Sequence, residues 1–165
     1  MRIAQMGTIV ALAVGMVAAD AWSSRAEDQL QEPPHHILMT PADLTWQDGP
    51  SGLPAGSQFV VVEGDPSQPG PFTMRGKVPA NYRIPAHWHP ADEHVTVLSG
   101  TLYMGMGDTL DTTQGKALSA GSFALMPAQA HHFAWTTEET ILQVHGVGPW
   151  GITYVNPADD PRKQE

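Results

Sequence analysis

The sequence predicts an all-β domain, a sandwich or barrel, and three observations predict it. From Ile37 onward the chain is a succession of short runs rich in β-branched and aromatic residues, each stopped by Gly or Pro. No stretch of that region sustains the 3.6-residue apolar period of a long amphipathic helix. The 15 Pro and 16 Gly also punctuate strands and are costly inside helices, so helix should be scarce.

In chain order, Met1-Arg2 precedes an apolar run from Met6 to Ala19, and small residues follow at Ala19-Asp20-Ala21 and Ser24-Arg25-Ala26. A basic start, a brief apolar stretch and a small-x-small site describe a secretory signal peptide over residues 1–26, cut after Ala21 or Ala26. A periplasmic or secreted location follows as an expectation. The apolar run is short for ~30 Å of hydrocarbon, which argues against a retained membrane anchor. Residues 27–54 read as an N-terminal arm, with Pro33-Pro34 near its start, and the first strand or strands. Its His35-His36 pair faces opposite ways on an extended chain and reads as solvated. The barrel is expected over residues 55–155. Its strands fall at Ser57–Val62, Pro71–Val78, Tyr82–His89, Val95–Leu98, Thr101–Met106, Ser122–Met126, His132–Thr136, Ile141–Val147 and Ile152–Val155. Residues 156–165 are polar and contain Pro, and read as a loose tail. No internal repeat is visible.

Removal of residues 1–26 leaves 16 acidic residues against 6 basic ones, a net charge of −10. That balance excludes the basic patch that nucleic acid or an anionic membrane requires, so neither is expected as a partner. The absence of Cys excludes disulfides, zinc ribbons and thiol nucleophiles. About 139 residues would remain, enough for one domain with a real core.

The stretch with chemistry in it is Asn81–Gly100, NYRIPAHWHPADEHVTVLSG. Alternate residues of a strand share a face, so His87 and His89 project together while Trp88 points away. Pro90-Ala91-Asp92 reads as a turn, after which Glu93 opens a second β-rich run that can fold back beside the first. Two imidazoles and a carboxylate suit one divalent transition metal, Fe, Mn, Ni, Cu or Zn.

These residues resemble a known family. His87-x-His89, Glu93 and Gly100 reproduce the first motif of the cupins, G(X)5HXH(X)3-4E(X)6G, with Asn81 in place of its opening glycine. Gly121, Pro127 and His132 match the second, G(X)5PXG(X)2H(X)3N, with Gln129 in place of Gly and Thr136 in place of Asn. The resemblance covers roughly residues 55–155. It implies a double-stranded β-helix, or jelly-roll barrel, holding one metal ion through His87, His89, Glu93 and His132, with positions left open for water, O₂ or a small-molecule substrate. Such open edges need cover, which leads us to expect a homodimer.

The neighbours read as structural. His94 and His131 each adjoin a ligand position and face the other way, and His145 on a late strand reads as a supporting or surface residue. Trp88, Phe133 and Trp135 share the face opposite the ligands and should pack against N-terminal strands or a second subunit. Met104, Met106 and Met126 read as core fillers. One barrel hosts many chemistries, and three classes stay open. The first is a metal-dependent dioxygenase. The second is a non-redox isomerase or lyase, for which Tyr82 or Tyr103 could supply a general acid or base. The third is a non-catalytic binding module, as in the cupin sensor domain of ChrR-type anti-sigma factors.

Overall fold

The computed structural model describes residues 36–163. The expected signal peptide, both of its cut sites and His35 lie outside them. Eleven strands fill the described residues: β1 (Gln47–Asp48), β2 (Gln58–Glu63), β3 (Gly70–Val78), β4 (Arg83–Trp88), β5 (Glu93–Ser99), β6 (Thr101–Met106), β7 (Lys116–Ser119), β8 (Phe123–Met126), β9 (His132–Thr136), β10 (Thr140–Gly148) and β11 (Thr153–Tyr154). Helix among these residues is confined to three-residue 3-10 turns at Pro41–Asp43, Pro157–Asp159 and Pro161–Lys163. The nine expected strands all form, with ends shifted by two residues at most. β1 falls within residues 27–54, where the sequence places the first strand or strands without bounds, whereas β7 lies outside the expected runs because the polar Lys116-Ala-Leu-Ser119 carries almost no apolar alternation.

The strands form two antiparallel sheets, ordered β1-β2-β3-β10-β5-β8 and β11-β4-β9-β6-β7. Together they make the β-sandwich that the short β-rich runs predict, in the jelly-roll form that the cupin resemblance implies. Phe72, Met74 and Val78 of β3, Val95 and Val97 of β5, and Leu142 and Val144 of β10 face inward from the larger sheet. Leu102 and Met104 of β6, Leu118 of β7 and Ala134 of β9 meet them from the smaller one. Burying each of the large side chains stabilises the fold by roughly 1.5–3 kcal/mol relative to leaving it in water. Gly100 turns the chain from one sheet to the other at φ 74, and a Cβ there would lie 2.5 Å from the Glu139 carbonyl oxygen, so glycine is required.

Two substitutions in the motifs have a backbone consequence. Asn81 and Gln129, which stand where the motifs carry glycine, adopt φ 61 and φ 64. The left-handed turn is kept without the residue that adopts it most easily. The Gln129 backbone N–H donates to the His89 carbonyl at 2.9 Å, so this turn also anchors the end of the His-x-His segment.

Three expectations are corrected. Phe133 and Trp135 are buried with Ala86 on the outer face of the smaller sheet, but their cover is their own chain: Tyr103, Leu110 and Val155 pack on them. A Cβ on Gly105 would lie 2.4 Å from the Phe133 ring, and one on Gly115 2.3 Å from Trp135, so that cover is close. Met106 is 60 % exposed and fills no core, unlike Met104 and Met126. Through Lys163 the C-terminal segment is docked rather than loose: Arg162 Nε donates to Asp160 at 2.7 Å, and its Nη2 donates to the Ile152 carbonyl at 3.2 Å.

Candidate metal centre

The two sheets bring four polar side chains to one end of the interior. His87 on β4 and His132 on β9 are cross-strand partners, with ring centroids 4.2 Å apart. His89, one residue beyond β4, places its ring 5.0 Å from that of His87 and 5.2 Å from that of His132. Glu93 begins β5, which pairs with β10 and β8 in the opposite sheet rather than folding back beside β4. The Pro90–Asp92 turn therefore carries the chain across the sandwich, and the carboxylate approaches the imidazoles from the facing wall. Its Oε2 lies 3.3 Å from His89 Nε2 and 3.8 Å from His132 Nε2. All four residues are buried.

Backbone carbonyls set the tautomers. His87 Nδ1 lies 2.7 Å from the Pro85 oxygen, His89 Nδ1 2.6 Å from that of Gly151, and His132 Nδ1 3.0 Å from that of Ala130. A carbonyl only accepts, so each Nδ1 carries the hydrogen, and in each neutral ring Nε2 presents a lone pair. One ligand atom from each of the three imidazoles falls within 4.8 Å of the others. His89 Nε2 is buried and makes no aligned hydrogen bond, despite its 3.3 Å approach to Glu93. A polar atom left so costs roughly 1–3 kcal/mol until something fills its place. Trp150 completes the wall: its indole stacks on His89 at 5.3 Å, and its Nε1 donates to Glu93 Oε1 at 3.2 Å. One imidazole triad, a carboxylate held by its outer oxygen and an unfilled buried nitrogen fit a divalent transition metal.

The electrostatics agree with that fit. Burial first, then His132 and His89, push the His87 pKa down to about 3. Burial likewise lowers that of His132. For His89 burial also works against the charged form, but the Glu93 carboxylate outweighs it and the net shift is upward. Burial opposes ionisation of Glu93, yet the neighbouring imidazoles, His89 foremost, hold its pKa down to about 2. His89 and Glu93 thus favour each other's charged forms, while burial keeps His87 and His132 toward the neutral form that a metal ion would require.

Next to the cluster the sandwich encloses a cavity of about 50 Å³, lined otherwise by Leu53, Phe59, Ile84, Val95, Leu102, Met104, Ala134, Leu142 and Val144. That holds a few waters, each needing roughly 10–15 Å³, and falls far short of the ~300 Å³ at which pockets for drug-sized ligands begin. The four cluster residues are the only titratable groups in that lining.

The remaining candidates lie elsewhere. The Tyr82 hydroxyl donates to the Pro54 carbonyl and lies 3.1 Å from Ser57 Oγ, away from the imidazoles. Tyr103 stacks on Trp135 on the outer face. His131 turns outward to Asp108, 2.7 Å away, while His132 points in. His94 and His145 stack on each other at 4.8 Å outside the larger sheet, and His36 is exposed. Sequence reasoning missed Trp150. Its setting, a lone Trp between Pro149 and Gly151 after a long strand, was the available signal.

The family model described as the ChrR cupin-like domain matches residues 34–150. No curated protein matches the chain. Among solved structures, the polyketide cyclase RemF from Streptomyces resistomycificus superposes with a TM-score of 0.65 at 14 % identity, covering 77 % of this chain and 90 % of that one. A Methylibium petroleiphilum PM1 protein provisionally assigned as an acetylacetone dioxygenase gives 0.60 at 18 % identity, over 80 % and 89 % of the two chains. An RmlC-like cupin from Shewanella frigidimarina gives 0.52 at 14 %, over 67 % and 89 %. At these identities the likeness is one of fold.

Proposed function

The chain belongs to the ChrR cupin-like domain family, and from that premise we propose that it is an exported metalloprotein whose His87, His89, Glu93 and His132 hold one divalent transition metal for dioxygenase-type chemistry on a small molecule. The observation that carries the reading is the cavity beside the cluster, which is apolar and has no titratable group other than the four proposed ligands. An isomerase or lyase needs a separate acid or base within reach of the substrate. Tyr82 and Tyr103 are turned to other partners. Oxygenase chemistry asks for no such group, because a redox-active ion at this site supplies Lewis acidity and electrons. The chain's own part is to keep three Nε2 lone pairs and one carboxylate convergent, to hold that carboxylate through Trp150, and to exclude bulk water.

A second reading has its own support. The family match and the small size of the cavity both suit a non-catalytic module that retains a metal or a very small ligand. Elemental analysis of exported protein purified without added metal, followed by O₂ uptake with β-diketones, separates the readings. The fold likeness to the Methylibium protein motivates that substrate panel. Iron, nickel, manganese or copper with substrate-dependent O₂ consumption supports the dioxygenase. Zinc, or a tightly held metal with no turnover in air, supports the module, and turnover without O₂ points to the isomerase or lyase. The mature protein is further proposed to be a periplasmic homodimer that binds neither nucleic acid nor membrane.

A further inference from the structure

At the β2 margin of the sandwich a groove of about 500 Å³ runs between residues 39–50 and the inner face of β2, with Met39, Gln47, Asp48, Phe59, Val61 and Met74 among its walls. We infer that this groove is the binding site for a small, neutral, mostly apolar molecule and that the Phe59 ring is the partition between it and the metal cavity. The inference rests on the metal-site reading above and adds the route and the ligand class.

Three observations carry it. Phe59 lines both the groove and the 50 Å³ cavity that contains His87, His89, Glu93 and His132. The groove's volume falls in the range of small-molecule pockets, roughly 300–1,000 Å³, while the inner cavity is too small for anything beyond a few atoms. A substrate therefore has room outside and needs the ring to move to meet the metal. The ring sits at the margin of the core rather than inside it. It is half-buried, packs against the edges of both apolar clusters, and lies on Gly76 of β3, where a Cβ would come within 2.8 Å of its Cε1 and Cζ, so backbone rather than an interlocking side chain faces it on that side. Leu53 also borders the inner cavity and a separate depression of about 410 Å³, but it is buried and packed with Ile152 and Tyr154. Charge and polarity narrow the ligand class: Asp43 and Asp48 lie in the groove lining, which contains no Lys or Arg, so an anionic sugar acid or carboxylate is repelled, and the apolar walls of the inner cavity disfavour a ligand that carries its own positive charge. Pro66, on the same lining, accepts a backbone hydrogen bond from Trp150 at 2.6 Å and so ties the groove to the residue that holds Glu93.

The test uses the metal-loaded protein and the rate at which the neutral planar chelator 1,10-phenanthroline removes the ion. A partition that is open about a tenth of the time or less throttles entry by that fraction, so Phe59→Ala should speed removal by ~10-fold or more. Phe59→Trp should slow it, and both variants should keep the wild-type metal content, since Phe59 is no ligand. The anionic chelator EDTA should gain less from Phe59→Ala than phenanthroline does. Wild-type rates in both Phe59 variants, or acceleration confined to Leu53→Ala, would overturn the partition while leaving the metal centre intact. Wild-type protein that retains no metal would instead defeat the metal reading. The groove would then be judged by titrating metal-free protein with 2-naphthol by NMR, where binding weakened by Val61→Glu supports it and no binding refutes it.

Discussion

Replacing Trp150 by Phe removes the indole N–H and part of the ring system while keeping an aromatic side chain at the site. The six-membered ring can stay stacked on His89, where the indole now lies at 5.3 Å and 22°, so packing is largely retained. What is lost is the 3.2 Å hydrogen bond to Glu93 Oε1. Glu93 is buried and its pKa is held at about 2, so the acceptor is a carboxylate at every working pH. A hydrogen bond to a charged group contributes about 1.5–3 kcal/mol, and 3.2 Å is long for one, so the lower half of that range, about 1.5–2 kcal/mol, applies. Freed at Oε1, the carboxylate can rotate Oε2 away from His89 and His132. Spent on orientation, that energy corresponds to a loss of ~10- to 30-fold in metal affinity, within the 10–100-fold seen when groups that orient metal ligands are removed. The assay is competition with a chromophoric chelator at pH 7.5, with Tyr103→Phe as a control on the outer face. An unchanged dissociation constant in a folded Trp150→Phe protein would refute the argument that the indole positions Glu93. A lowered melting temperature alone would show a hydrogen bond that serves stability only.

Four further outcomes are expected. Alanine at His87, His89, Glu93 or His132 should each cut metal affinity more than ~10-fold and give a melting curve like that of the chelated wild type, whereas His94, His131 and His145 variants should retain the ion; full occupancy in all four ligand variants, by elemental analysis, would sink the shared-site reading. Metal-free protein should lose stability on acidification from pH 7 to pH 4: His87 stays neutral down to about pH 3 when folded but takes a proton near 6.5 when unfolded, so the unfolded chain binds more protons across that window, at ~1.4 kcal/mol per pH unit. His132 acts in the same direction, Glu93 adds a loss between 4.5 and about 2, and the raised His89 opposes them only as pH climbs through its folded pKa; a melting temperature that is flat or rises toward pH 4 contradicts this. Gln129→Gly should stabilise by about 0.5–1 kcal/mol, because the left-handed conformation costs a side chain roughly 1–2 kcal/mol and glycine returns only part of that as entropy lost on folding; a lower melting temperature would show that the Gln side chain matters more than its φ. Native mass spectrometry of exported protein should give a dimer of chains lacking 21 or 26 residues, and a monomeric mass or an intact Met1 terminus counts against the corresponding proposal.

Local physics made much of this protein legible in one dimension. Alternation with period two and the stops at Gly and Pro are properties of neighbouring residues, so nine strands and the all-β class could be read directly. The same period put His87 and His89 on one face, and the motif spacing placed His132, not His131, on the inward side of β9. Contacts between residues far apart in the chain were not legible. Glu93 reaches the imidazoles from the opposite sheet, the Gly151 carbonyl that fixes the His89 tautomer lies 62 residues away, and the Trp150 donor lies 57 residues from its carboxylate. No periodicity encodes such pairings, because they arise only when the two sheets close on a common interior. Closure likewise decided that Phe133 and Trp135 are covered by their own chain, and that Asn81 and Gln129 hold glycine's conformation: neighbouring strands fix where each turn must go, and the side chain at the turn bears the strain.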